Sequence, residues 1–109
     1  MPIAAVLIFV AAAVLEVSGD AIIRAGLRGS GSGLIAGGVV MLGCYGVIVN
    51  TLRWEFSRLF GVYVAVFATV SVLCGRFAFG ESVATTTWIG LAIIVSGAAV
   101  IQVGTQLNW

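Results

Sequence analysis

Histidine and lysine are absent from this 109-residue chain, and charge of either sign is scarce: five arginines, four acids and 8% charged residues in all. Soluble domains carry roughly a quarter charged residues, so this composition excludes an ordinary soluble fold. Without His, the commonest metal ligand and the usual near-neutral acid–base group are both missing. No nucleophile–base pair or metal cluster can be assembled, which argues against an enzyme and against any metal or other cofactor. The two cysteines, Cys44 and Cys74, stand alone inside apolar runs with no C-x-x-C spacing, and read as small buried hydrophobes. A net charge of +1 leaves no basic patch for nucleic acid.

What fills the chain instead is apolar: 61% hydrophobic residues and a mean hydropathy of +1.23. Long runs without polar alternation indicate spanning helices rather than a transmembrane barrel. The first run imitates a signal peptide, but the basic n-region is missing and the run continues past Ala11-Ala12-Ala13, so it reads as a spanning helix. The pattern predicts a single all-α membrane domain over 1–109, with four helices at about 2–27, 34–52, 58–79 and 86–104. Pro2 suits a first helical turn. The Gly-Ser-Gly-Ser-Gly stretch at 29–33 forms the first turn. Helix 2 carries Gly37, Gly38, Gly43 and Gly46, a density that predicts close packing on several sides. Trp88 and Trp109 lie near opposite interfaces.

One residue breaks the apolar pattern. Glu16 lies inside the first run with no charge before it, and an intramembrane ionisable residue is a functional-site hypothesis by default. Its helical neighbours by steps of three and four are Phe9, Ala12, Ala13, Gly19, Asp20 and Ile23. They are small around the carboxylate and leave room for a ligand or a partner helix. Arg24 is eight residues away, over ~12 Å along the axis, and Asp20 can take Arg24 at i+4 itself. Glu16 is thus left without an obvious cation. Desolvation favours its protonated form; a carboxyl that releases its proton when a cation arrives supplies the minimum chemistry for antiport. In helix 3, Phe60, Tyr63 and Phe67 form one stripe. In helix 4, Gly90, Ser96, Gly97 and Ala98 form a small-residue face suited to helix packing. Two other roles for Glu16 stay open: a structural interhelical hydrogen bond in a non-transporting membrane subunit or assembly partner, and a buried ion pair.

Arginines divide almost evenly between the two sides: Arg24, Arg28 and Arg76 against Arg53 and Arg58. A chain with so little bias can insert both ways, and opposed copies can pair as an antiparallel dimer.

These motifs resemble the small multidrug resistance family. Glu16, Gly19 and Arg24 match the pattern of its first helix, Thr51-Leu52 the end of its second, and Phe60-Gly61-Val62-Tyr63 its aromatic pair. Phe77-Ala78-Phe79-Gly80-Glu81 is similar to the following loop, and Ile89-Gly90 with Gly97 to the fourth helix. Arg58-x-Phe60-x-x-Tyr63-x-x-x-Phe67 also resembles the YnfA-like branch. The resemblance implies a dual-topology antiparallel homodimer, with a heterodimer as the variant, in the inner membrane of a bacterium. It implies proton-coupled export of small organic cations. Glu16 would be shared between protons and substrate, Gly19, Phe60 and Tyr63 would line the site, and the Gly97 region would hold the dimer. Asp20, one turn from Glu16, is a candidate second carboxylate of the site on its position alone. The chain departs from the family at Phe60 and Tyr63, where Tyr and Trp are usual. It also departs at Asp20, where a hydroxyl residue is common, and at Val64–Ser71, which lacks the expected glycines.

Overall fold

A computed structural model describes residues 3–106. Pro2 and Trp109 lie outside the described residues. Four helices follow in order: α1 (Ile3–Ala25), α2 (Ser32–Val49), α3 (Phe56–Phe77) and α4 (Thr85–Gln106). All four are long and apolar enough to cross a membrane, and the described residues contain no strand. The architecture is therefore the expected all-helical one.

The ends differ from the sequence expectation by a few residues, each for a local reason. α1 gives way at Ala25 to a wide π-type turn, Gly26–Ser30, in which Gly29 takes φ +106°. Gly31, at φ +115°, starts the next helix. Both conformations are open to glycine and strained for other residues, so the turn begins before the Gly-Ser repeat and α2 begins inside it. α2 stops at Val49 rather than Leu52, because Asn50 and Thr51 turn back on it. The Asn50 side-chain amide donates to the Gly46 carbonyl at 2.8 Å, and the Thr51 hydroxyl donates to the Ile48 carbonyl at 2.6 Å. α3 begins at Phe56, its first turn closed by the Leu59 N–H donating to the Glu55 carbonyl at 2.8 Å. It ends where the Ala78 and Phe79 N–H groups both donate to the Cys74 carbonyl, and Gly80 follows at φ +66°.

The described residues fall into two compact units that divide between Leu52 and Arg53. The first is the α1–α2 hairpin. It is drawn together by glycine: a β-carbon added at Gly19 would lie 3.1 Å from the Gly38 carbonyl oxygen and 3.2 Å from Leu42 Cδ2. One added at Gly26 would lie 2.6 Å from Ile35 Cγ1. Small residues let membrane helices approach to backbone contact, where dispersion and packing replace the hydrophobic effect. The other glycines of α2 behave differently from the expectation. Gly37, Gly43 and Gly46 have nothing within 4 Å of an added β-carbon, so within this unit α2 packs along one face only.

The second unit is the α3–α4 hairpin. Its helices are in close contact at Gly61, where a β-carbon would lie 2.7 Å from Ile101 Cδ1. Beside that contact, Arg58 donates through Nε and Nη2 to Gln102 Oε1 at 3.3 and 3.2 Å. Two hydroxyls inside the spans are satisfied by their own helices. Thr69 donates to the Ala65 carbonyl at 2.7 Å, and Ser96 to the Ala92 carbonyl at 2.8 Å. Such back-bonding removes the cost of an unpaired hydroxyl in an apolar setting.

Candidate functional site: a carboxylate at the α1–α2 crossing

Glu16 lies two-thirds of the way along α1 and is half-buried. Around it the helix surface is closed. Phe9, Ala12 and Ala13 are fully buried, and Gly19 is buried against α2. Ala12 and Ala13 therefore stand in packed surroundings rather than open space, and Gly19 has its place in the helix crossing itself. Asp20, one turn on, is exposed. The two acids of α1 thus sit in different environments.

The crossing fixes what faces Glu16. Gly26 meets Ile35, Gly38 meets Ile23, and Gly19 meets Leu42. Each step of three or four residues back along α1 is matched by an equal step forward along α2, as antiparallel packing requires. The next such step takes Gly19 to Glu16 and Leu42 to Tyr45. The register of the crossing thus places Tyr45 level with Glu16. Sequence reasoning passed over Tyr45, although a phenol inside an apolar span needs a hydrogen-bonding partner. That signal was available in the sequence. What it lacked was the phase between α1 and α2. One further matched step brings the fully buried Val49 level with the fully buried Ala12 and Ala13.

On α3 the predicted stripe is present and longer than expected. Phe56 and Phe60 have ring centroids 4.8 Å apart, Phe60 and Tyr63 are edge-to-face at 6.4 Å, and Tyr63 and Phe67 stack at 6.4 Å. These spacings are those of favourable aromatic pairs. Tyr63 is 3% exposed, while Phe60 and Phe67 are half-buried. Phe60 and Tyr63 are thus brought together on one unit, and Glu16, Gly19, Ala12 and Ala13 on the other.

In α4, Ala98 is buried, Gly90 is half-buried and Gly97 is exposed. An added β-carbon at Gly90 or Gly97 would meet nothing within 4 Å. Most of this helix is bare within the chain: Trp88, Ile89, Ile93, Val95, Val100 and Val103 are all exposed. A cleft of about 380 Å³ lies in the α3–α4 unit, lined by Ser71, Val72, Glu81, Ser82, Val83, Ala84 and Thr87. It includes none of the candidate binding residues named from the sequence. Among the described residues no group of three His, Cys, Asp or Glu side chains is placed to hold a metal ion.

Comparison with known proteins agrees with these features. No solved structure matches the chain. A "UPF0060 membrane protein" of Mycobacterium marinum is 31% identical over 105 residues, covering 94% of each chain. Residues 2–106 match the family model described as "Uncharacterised BCR, YnfA/UPF0060 family". A chain of four apolar helices, matched by that model over nearly its whole length, belongs to the YnfA/UPF0060 family of membrane proteins.

Proposed function

We propose that this chain is a proton-coupled antiporter that exports small organic cations, such as quaternary ammonium or guanidinium-like compounds, across a bacterial inner membrane. One observation carries the reading: a half-buried carboxylate, Glu16, at a tight helix crossing in an apolar span, level with Tyr45 of the facing helix. The resemblance of the motifs around Glu16, Phe60 and Gly97 to those of small multidrug resistance transporters supports it further.

The chemistry follows from the residue types. In its resting form Glu16 holds a proton, because a neutral carboxyl is the cheaper species in an apolar setting. An arriving cation stabilises the carboxylate, and the proton leaves to water. The same atoms then hold the cation. Phe60 and Tyr63 are the aromatic residues that the family resemblance would assign to the cargo, a desolvated cation–π contact contributing about 2 kcal/mol or more. Protonation from the opposite side returns the carboxyl to its neutral form and releases the cargo. Site exposure alternates by rocking of two opposed copies in an antiparallel homodimer, with a paired related chain as the variant. The exposed face of α4 around Gly90 and Gly97 is where the second copy would pack.

The test is transport by purified protein in liposomes under a pH gradient. Glu16→Gln should abolish gradient-driven cation uptake while leaving helical content and oligomeric state unchanged. Undiminished uptake by that variant would overturn the mechanism and favour a structural role for Glu16.

A further inference from the structure

Arg58 sits in the first turn of α3, at the end of a membrane span, and its surroundings are unusual for a half-buried cation. Its guanidinium lies over the Trp54 ring, 3.8 Å from the centroid. Its Nε and Nη2 groups donate to Gln102 Oε1. Both partners are neutral. Among the described residues the acids nearest in sequence are Glu55, which is exposed, and Glu81, beyond the far end of α3.

The bonding pattern determines what this pair can still do. A guanidinium carries five N–H donors and no acceptor. Two of them are used on Gln102, which leaves about three. Gln102 has its carbonyl oxygen turned to Arg58, so its NH2 group is the part that remains. The pair therefore presents donors only, with one full positive charge. Beside them are the unpaired N–H groups of the first turn of α3, since the first intrahelical bond is made by Leu59, and this end of a helix carries partial positive charge. Arg53 adds a second, exposed guanidinium just before it.

The arrangement is also held in place. One turn below Arg58, Gly61 meets Ile101, the neighbour of Gln102, in a close contact between the two helices. The Trp54 stack fixes the plane of the guanidinium. A planar, pre-oriented fork of donors matches two oxygens of a phosphate better than it matches a chloride or a single carboxylate oxygen. The depth selects the source: Trp is a residue of the headgroup layer, and the phosphates at that level belong to lipid.

We infer that Arg58 and Gln102, backed by Trp54, form a binding site for the phosphate group of an anionic phospholipid. The site is separate from Glu16 and does not depend on the transport reading. Occupying it sets a negative charge against the guanidinium and ties a lipid to the α3–α4 hairpin.

The experiment is thermal unfolding of the detergent-solubilised protein with added dioleoyl phosphatidylglycerol, dioleoyl phosphatidylcholine or inorganic phosphate, combined with native mass spectrometry to count bound lipid. Phosphatidylglycerol should raise the unfolding midpoint in a saturable way and remain bound in the gas phase, with phosphatidylcholine at least several-fold weaker. Arg58→Gln should remove the difference between the two lipids. Because that variant also loses the tie to α4, Gln102→Glu provides a second test. The new carboxylate keeps the contact with Arg58 and cancels its charge, so the fold should hold while selectivity for phosphatidylglycerol disappears. Equal stabilisation by both lipids in the parent, or selectivity retained in Gln102→Glu, would overturn the proposal. A shift with inorganic phosphate as large as that with phosphatidylglycerol at equal concentration would overturn the lipid assignment in favour of a soluble phosphate.

Discussion

Gly19 and Gly38 meet backbone to backbone: a β-carbon on Gly38 would lie 2.7 Å from the Gly19 carbonyl oxygen. No side chain can move aside to relieve that contact, so any larger residue must push α1 and α2 apart. Gly38→Leu should therefore destabilise the α1–α2 hairpin by about 1–3 kcal/mol, the usual cost of overpacking. Gly37→Leu and Gly43→Leu, with open space at their β-positions, should leave stability within about 0.5 kcal/mol, as surface changes do. Reversible unfolding in mixed micelles measures all three.

Tyr45 gives a sharper test of the site than the glycines. Tyr45→Phe removes a hydroxyl level with Glu16 across the crossing and keeps the ring. Hydrogen bonds to charged groups contribute roughly 1.5–3 kcal/mol, and 1.4 kcal/mol is a factor of about 10 in affinity. Cation binding at neutral pH should weaken about tenfold, with the number of bound cations unchanged. Isothermal titration checks both parts.

Asp20 and Glu16 should separate in function as they do in burial. Asp20 is exposed and Glu16 half-buried. Asp20→Asn should retain proton release on cation addition, with a change of less than about threefold in cation affinity, since exposed charges interact weakly. Glu16→Gln should release no protons. A pH electrode in lightly buffered detergent solution distinguishes the two.

Gly61 and Ile101 form a pair whose cost can be moved between partners. Gly61→Ala places a methyl group 2.7 Å from Ile101 Cδ1 and should cost about 1 kcal/mol. Ile101→Ala opens space at the same point. The double variant should be more stable than the sum of the two single changes predicts, by about 0.5 kcal/mol or more, in the same unfolding assay.

Much of the fold was legible because lipid imposes a simple rule: a span needs about 20 apolar residues and internal hydrogen bonds. The four runs and the intervening turns satisfy it. Helix ends were less legible, since they depend on bonds such as Asn50 to Gly46 and on which glycine adopts positive φ. Glu16 stood out from composition alone. The matching hydroxyl of Tyr45 did not, because it acquires meaning only once Gly19 and Gly38 fix the rotation of α1 against α2. The glycines of α2 were read too generously for the same reason: only Gly38 has its β-position closed by a neighbouring helix, and a sequence cannot say which glycine of four is the one in contact.

The division between Leu52 and Arg53 has a consequence for biosynthesis. Each half holds its own crossing, Gly19 against Gly38 in one and Gly61 against Ile101 with Arg58 against Gln102 in the other. Neither crossing needs the other half to be complete. The chain can be regarded as two prefabricated hairpins that leave the ribosome in turn. A gene split at that boundary should yield fragments whose internal packing is finished before they meet.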